Sequence, residues 1–223
     1  MTKQMFFQAI GKFVCGLIIV GALLFVPAGS FGYTNGWIFI ALLFIPMFIA
    51  GMIMMFKNPE LLKKRLNAKE EQGEQKTVIM LSALMFIAAF VAAGLNFRFK
   101  WLVMPKWAVI TGIIVFLAAY IMYAEVLREN VYLSRTVEVQ ENQKVIDTGL
   151  YGIVRHPMYS ATLLLFLSMG IVLGSIISFA ILLLYIPIIA KRMKNEEKVL
   201  EEGLEGYREY KQRVRYRVLP PIW

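Results

Sequence analysis

Five long apolar blocks dominate this chain of 223 residues and restrict what it can fold into. They cover residues 13–28, 36–56, 77–97, 103–127 and 157–190. About 20 helical residues cross the hydrocarbon core of a bilayer, so each of the first four blocks fits one membrane-spanning helix. Hydrophobic residues make up 59% of the chain, which is more than a soluble domain of this size can bury. The sequence therefore predicts an all-α, polytopic membrane protein.

The fifth block is too long for a single crossing, because its 34 residues would form a helix of roughly 50 Å. Gly170, Gly174, Ser175 and Ser178 lie near its middle. This composition predicts a tight hairpin of two short helices, which gives about six transmembrane segments in all. A single bent helix is the alternative.

The basic residues predict the orientation of the chain in the membrane. Of 24 lysines and arginines, 21 lie in residues 1–12, 57–76, 128–156 and 191–223, and the other three lie in 98–106. Basic residues favour the cytoplasmic side, so both termini are expected there, and the even number of crossings agrees with a hairpin. The formal charge of +9 fits cytoplasmic loops and anionic lipids. No motif indicates a nucleic-acid partner.

Two further interpretations concern the polar segments near the N-terminus. Lys3 and Lys12 precede the first apolar block, as in a signal peptide, but the further spans that follow disfavour cleavage. The charged segment 57–76 is expected to be partly helical along the membrane surface.

The residues available for chemistry exclude several classes of site. Cys15 and His156 are the only cysteine and the only histidine, so neither a disulfide framework nor a metal site is expected. The fingerprints of dinucleotide-binding folds, P-loop enzymes and serine hydrolases with a nucleophile elbow are absent from the sequence.

A basic and acidic cluster is predicted where the two ends of the fifth block meet. Arg155 and His156 precede the block, and Arg192 and Glu196 follow it, four residues apart on one helix face. A hairpin would bring all four together on the cytoplasmic side, beside a lipid-accessible cavity. Each also has a plainer interpretation, as a headgroup anchor, a helix cap or a solvated ion pair.

At these residues the chain resembles the isoprenylcysteine carboxyl methyltransferase family, whose members are membrane methyltransferases that use S-adenosylmethionine. The resemblance covers about 128–223 and rests on these elements: Val139-Gln140, Thr148-Gly149-Leu150-Tyr151, Arg155-His156-Pro157-Met158-Tyr159, Arg192-x-x-x-Glu196-Glu197-x-x-Leu200, Gly206-Tyr207-Arg208-Glu209-Tyr210 and Arg213 to Pro220. Four N-terminal transmembrane helices over 1–127 and a catalytic region over 128–223 are the expected organisation.

The resemblance also implies roles for individual residues. Those expected to bind S-adenosylmethionine are Gln140, Val145, Ile146, Asp147, Thr148, Tyr151, His156, Tyr159 and Glu196. Arg192, Glu196 and Arg155 are the candidate catalytic residues, with Arg192 holding a carboxylate of the acceptor. A carboxylate is ionised at neutral pH and needs no general base, whereas an amine would need a proton acceptor.

The expected partners are membrane lipids and a lipophilic small-molecule or lipid-modified substrate. O-methylation of a carboxylate on such an acceptor is the leading hypothesis. The alternatives are N-methylation of a phospholipid amine, a sterol-type membrane reductase that uses NADPH, and a non-catalytic membrane protein. The sequence leaves the acceptor and the oligomeric state open.

Overall fold

A computed structural model of the protein describes residues 3–57, 59–66, 73–133 and 137–223. Within these ranges all regular secondary structure is helical, apart from one isolated bridge between Val103 and Ser175. The all-α prediction is therefore confirmed. Parts of the predicted segments 1–12, 57–76 and 128–156 lie outside the described residues.

The helices follow one another along the chain, and the segment 130–148 separates α5 from the next turn. They are α1 (Lys3–Ala28), α2 (Thr34–Lys57), α3 (Pro59–Leu66), α4 (Gly73–Phe99), α5 (Lys106–Glu129), a 3₁₀ turn (Gly149–Gly152), α6 (Pro157–Val172), α7 (Ile176–Leu182), α8 (Tyr185–Gly203) and α9 (Tyr207–Arg213). Each of the first four apolar blocks lies mainly in one long helix. The helix of the fourth block, α5, begins at Lys106, three residues into the block, and Pro105 is its N-cap residue.

Within the described ranges, five helical stretches are long and apolar enough to cross a membrane. They are Phe6–Ala28, Thr34–Lys57, Gln75–Phe99, Lys106–Glu129 and Ile176–Gly203, and Pro157–Val172 is a shorter apolar helix. Many of their large apolar side chains are exposed, such as Ile18, Ile114 and Ile121. Exposed apolar faces on long helices are what a lipid-embedded bundle presents. The chain is therefore a membrane protein with several apolar helices.

Small residues let the helices of the bundle approach closely. A Cβ at Gly94 of α4 would collide with the backbone of α1 at Leu24, and a Cβ at Gly112 of α5 would lie 2.8 Å from Ile171 of α6. Such small-residue contacts are how membrane helices gain packing contacts in lipid. Phe39 of α2 and Phe116 of α5 are fully buried inside the bundle.

The fifth apolar block forms α6, a turn at 173–175, α7 and the first part of α8. Gly174 adopts a φ of 72° in this turn, and the Ser175 side chain accepts a hydrogen bond from the Ser178 backbone. The α6 and α7 backbones come so close that a Cβ at Gly170 would lie 2.5 Å from the Phe179 nitrogen. Tyr185 of α8 donates a hydrogen bond of 3.3 Å to Thr162 of α6. The two ends of the block consequently lie side by side.

The described part of the polar segment 57–76 is largely helical. The short helix α3 occupies Pro59–Leu66, and α4 begins at Gly73. Lys12 of α1 donates a hydrogen bond of 2.7 Å to the Leu66 carbonyl. The N-terminal end of α1 and the C-terminal end of α3 are thus joined at one end of the bundle.

Candidate active site

A cleft lies at the end of the bundle where α6 begins and the charged half of α8 continues. Its empty volume, including the part that opens to solvent, is about 870 Å³. The predicted site residues that line it are Val145, Ile146, Tyr151, Arg155, His156, Tyr159, Arg192 and Glu196. Segments that are far apart in sequence therefore meet at one place.

Three of the predicted site residues, Gln140, Asp147 and Thr148, are not part of this lining. Asp147 is exposed and forms an ion pair with Arg213. The Thr148 carbonyl accepts hydrogen bonds from the backbone of the following 3₁₀ turn. The Gln140 side chain donates to the Tyr132 carbonyl, and its backbone N–H donates to the Gln143 side chain at 2.8 Å.

The side chain of Glu129, at the end of α5, holds the 3₁₀ turn, and a glycine in the turn makes room for it. Gly149 has a φ of 50°, a region that non-glycine residues rarely adopt. The Glu129 carboxylate occupies the space that a Cβ at Gly149 would need, and it accepts a hydrogen bond of 3.1 Å from the Leu150 N–H. Because Tyr151 lies within this turn, the contact sets the position of a cleft-lining side chain.

Tyr151 is held from two sides. Its hydroxyl accepts a hydrogen bond of 2.9 Å from the Asn130 side chain. Its carbonyl accepts one of 2.8 Å from the Tyr210 hydroxyl on α9. The ring is therefore fixed between the end of α5 and the C-terminal segment.

The start of α6 binds the C-terminal segment through its backbone. Pro157 is the first residue of α6, a position where a missing N–H leaves no gap in the helix. The N–H groups of Arg155 and His156, which precede it, donate to the carbonyls of Tyr216 and Arg217 at 2.9 and 2.8 Å. The start of α6 is thereby anchored to the segment that follows α9.

Glu197 is the centre of a buried ion-pair network. Its side chain is 3% exposed, and its carboxylate lies 2.8 Å from Arg155, 2.9 Å from Arg217 and 3.5 Å from Lys211. His156 Nε2 lies 3.2 Å from Glu197 Oε1. Because an ionised carboxylate can only accept, His156 Nε2 carries the proton in this contact.

The same network reaches the C-terminal segment. Arg155 also donates to the carbonyls of Val214 and Arg215, at 2.7 and 2.8 Å. Hydrogen bonds to the Glu197 carboxylate raise the pKa of Arg217. Glu197 was not among the predicted site residues, although the sequence shows it beside Glu196.

Tyr159 links the two predicted residues of α8. Its hydroxyl accepts a hydrogen bond of 3.0 Å from Arg192 Nε and donates one to the Glu196 carboxylate. Arg192 Nη1 also donates to Gln75 Oε1 of α4 at 3.1 Å. The four-residue spacing of Arg192 and Glu196 places both beside the same phenol.

Gln75, like Glu197, is a residue of this region that the sequence analysis did not predict. It is fully buried, and its Nε2 has no hydrogen-bond partner among the described residues. No motif surrounds it, and 117 positions separate it from Arg192.

The residues that the structure describes contain no group of three or more metal-ligating side chains. The chemistry available in the cleft is instead that of guanidinium, carboxylate, imidazole and phenol groups. Such a set can orient a polar ligand that carries both a positive and a negative group.

One comparison with known proteins finds a similarity that covers part of this region. Residues 109–202 match the sequence model of the isoprenylcysteine carboxyl methyltransferase family. The match covers most of α5 and ends near the end of α8, so it contains the start of α6 and the Arg192, Glu196 and Glu197 positions. A search of curated proteins found no match to the chain.

Proposed function

We propose, from the match of residues 109–202 to the isoprenylcysteine carboxyl methyltransferase family, that the protein moves a methyl group from S-adenosylmethionine to a lipophilic acceptor in the cleft. We further propose that the acceptor group is a carboxylate. S-adenosylmethionine would supply an electrophilic methyl group, which an ionised carboxylate can attack without a general base. The protein has to align the two reactants and exclude water.

The arrangement around Tyr159 carries the proposal. The Tyr159 hydroxyl contacts both Arg192 and Glu196. A cation suited to an anionic acceptor and a carboxylate suited to the cofactor therefore lie on either side of the same phenol. A guanidinium can orient a carboxylate through two parallel hydrogen bonds. A carboxylate can accept from the cofactor's ammonium group or ribose hydroxyls.

The chemistry of the cleft fits S-adenosylmethionine. The cofactor carries an ammonium, a carboxylate, a ribose and an adenine, and therefore needs both acceptors and donors. Glu196 supplies an acceptor, and Tyr151 supplies a phenol in the lining. Val145 and Ile146 add an apolar wall.

His156 has a positioning role in this proposal. Its Nε2–H donates to Glu197, so this nitrogen is not available to accept a proton from an amine acceptor. A carboxylate acceptor needs no such base.

The membrane arrangement completes the proposal. The five candidate spans together with α6 provide six membrane segments if α6 and α7–α8 form a hairpin. The distribution of basic residues then places both termini and the cleft on the cytoplasmic side. A lipophilic acceptor would reach Arg192 from the membrane.

The decisive measurement is binding and turnover by the protein purified in detergent. Calorimetry should show binding of S-adenosylhomocysteine and none of NADPH. Transfer of a labelled methyl group should occur to amphiphiles with a carboxyl head and not to matched amphiphiles with an amine head. Binding of NADPH alone would support a reductase, and binding of neither compound would contradict the proposal.

Two variants test the division of roles. Arg192→Ala should abolish turnover and leave the affinity for S-adenosylhomocysteine largely unchanged, because Arg192 is assigned to the acceptor. Glu196→Ala should weaken that affinity. The reverse pattern would overturn both assignments.

A further inference from the structure

Tyr207 at the start of α9 is a cleft residue that the proposed function does not yet use. It is 4% exposed and packs with Leu204, Tyr210 and Val214 in a small apolar cluster. It also belongs to the cleft lining. Its ring is therefore held rigidly where a ligand would be bound.

The hydroxyl of Tyr207 is buried and has no hydrogen-bond partner among the described residues. Buried hydroxyls are nearly always paired, and an unpaired one is a specific feature that needs a reason. The neighbouring Tyr210 shows the ordinary arrangement, because its hydroxyl donates to the Tyr151 carbonyl at 2.8 Å. Two tyrosines on the same short helix thus differ in one respect, the partner of the hydroxyl.

The environment of this hydroxyl defines the ligand atom that would pair with it. Burial raises the pKa of Tyr207, and the nearby charges of Glu197 and Glu196 raise it further. The phenol consequently keeps its proton at neutral pH and acts as a donor. Its partner must offer an acceptor, such as a carboxylate oxygen, a ribose hydroxyl or an adenine nitrogen.

We propose that Tyr207 is a further cofactor-binding residue, whose hydroxyl donates a hydrogen bond to S-adenosylmethionine in the cleft. This inference rests on the proposed function, since the cofactor supplies the acceptor. The hydroxyl is kept unpaired in the free protein so that the ligand can pair it. Its contribution is therefore to affinity for the cofactor and not to the stability of the fold.

The variant Tyr207→Phe separates a contribution to cofactor affinity from a contribution to the stability of the fold, because only the affinity should fall. Loss of an unpaired buried hydroxyl should leave the melting temperature of the ligand-free protein unchanged or raise it. Loss of the hydrogen bond to bound ligand should lower the affinity for S-adenosylhomocysteine about 5- to 10-fold. Both quantities can be measured on the same detergent-purified sample, by thermal unfolding and by calorimetry.

Two matched tyrosine variants serve as controls. Tyr210→Phe removes a hydroxyl that has a protein partner, so it should lower the melting temperature of the ligand-free protein. Tyr120→Phe removes a hydroxyl that donates to the Leu43 carbonyl inside the bundle, and it should leave the affinity for S-adenosylhomocysteine unchanged.

The outcomes distinguish this inference from the proposed function. If the parent protein binds S-adenosylhomocysteine and Tyr207→Phe binds it equally well, the Tyr207 assignment is wrong and the function stands. A lower melting temperature of ligand-free Tyr207→Phe would also overturn the assignment, because the hydroxyl would then have a partner in the free protein. If the parent does not bind the ligand, both proposals are rejected.

Discussion

Tyr159 on α6 accepts a hydrogen bond of 3.0 Å from the guanidinium of Arg192 on α8. The same hydroxyl donates to Glu196, one turn further along α8. Tyr159 therefore connects the residue assigned to the acceptor with the residue assigned to the cofactor. It also fixes α6 against α8 at the point where their polar ends enter the cleft.

Replacement of Tyr159 by phenylalanine is expected to impair turnover strongly. Arg192 would lose a buried acceptor and Glu196 a donor, and hydrogen bonds to charged groups contribute about 1.5–3 kcal/mol each. We expect kcat/KM to fall about 10- to 100-fold in a methyl-transfer assay. Tyr120→Phe, which removes a hydroxyl bonded to the Leu43 carbonyl, is the control. Equal activities of the two variants would argue against a linking role for Tyr159.

Replacement of Glu197 by glutamine is expected to destabilise the fold. It would remove the charge that compensates Arg155, whose side chain is only 5% exposed. Removal of one partner from a buried ion pair typically destabilises a protein by about 3–5 kcal/mol. The measurement is the unfolding transition in detergent, together with the rate at which a protease removes the segment after α9.

Glu201 provides the matched control for that variant. It pairs with Lys211, and both side chains are about one third exposed. Exposed pairs contribute roughly 0–1 kcal/mol, so Glu201→Gln should shift the unfolding transition little. Shifts of similar size in both variants would show that the buried network does not hold the C-terminal segment.

The sequence predicted the parts of this protein that depend on local patterns. Apolar blocks of helical length predicted the long helices, because hydropathy over about 20 residues is a local property. The spacing of Arg192 and Glu196 predicted that both lie on one helix face. The prediction that the start of α6 and the charged half of α8 converge depended on the hairpin hypothesis.

Residues that act through distant contacts could not be predicted in this way. Gln75 reaches Arg192 across 117 positions, and Arg217 reaches Glu197 across 20. Glu197 itself could have been found from the helical period, since it lies four residues after the fully buried Met193. The Glu-Glu pair alone does not show which carboxylate faces inward.

Gly149 is expected to tolerate no side chain. Alanine would have to adopt a left-handed conformation, which costs about 1–2 kcal/mol, and its Cβ would displace Glu129. We expect Gly149→Ala to lower the melting temperature and the affinity for S-adenosylhomocysteine together, because Tyr151 is part of the same turn. Gly21→Ala is the control, since open space surrounds Gly21 in α1 and alanine favours a helix by about 0.5–1 kcal/mol. Retained ligand affinity in Gly149→Ala would show that the turn does not position the cleft.

The proposed orientation can be tested by labelling single cysteines. Cys15→Ala removes the native thiol, and Arg208 and Lys100 are exposed positions near opposite ends of the bundle. In intact cells, a membrane-impermeant maleimide should label Lys100→Cys and should reach Arg208→Cys only after lysis. Labelling of Arg208→Cys in intact cells would place the cleft on the outer side and contradict the positive-inside interpretation.

Gln75 is expected to act through Arg192 as a positioning residue. Gln75→Met removes the oxygen that accepts from Arg192 Nη1, but it also removes the unpaired Nε2, so the fold should lose little stability. The KM for the acceptor should therefore rise about 5- to 10-fold while the affinity for S-adenosylhomocysteine stays unchanged. Gln75→Glu keeps an accepting oxygen on a side chain of the same length and should stay closer to the parent. If Gln75→Met weakens cofactor binding as much as it raises this KM, then Gln75 supports the whole cleft and not the orientation of Arg192.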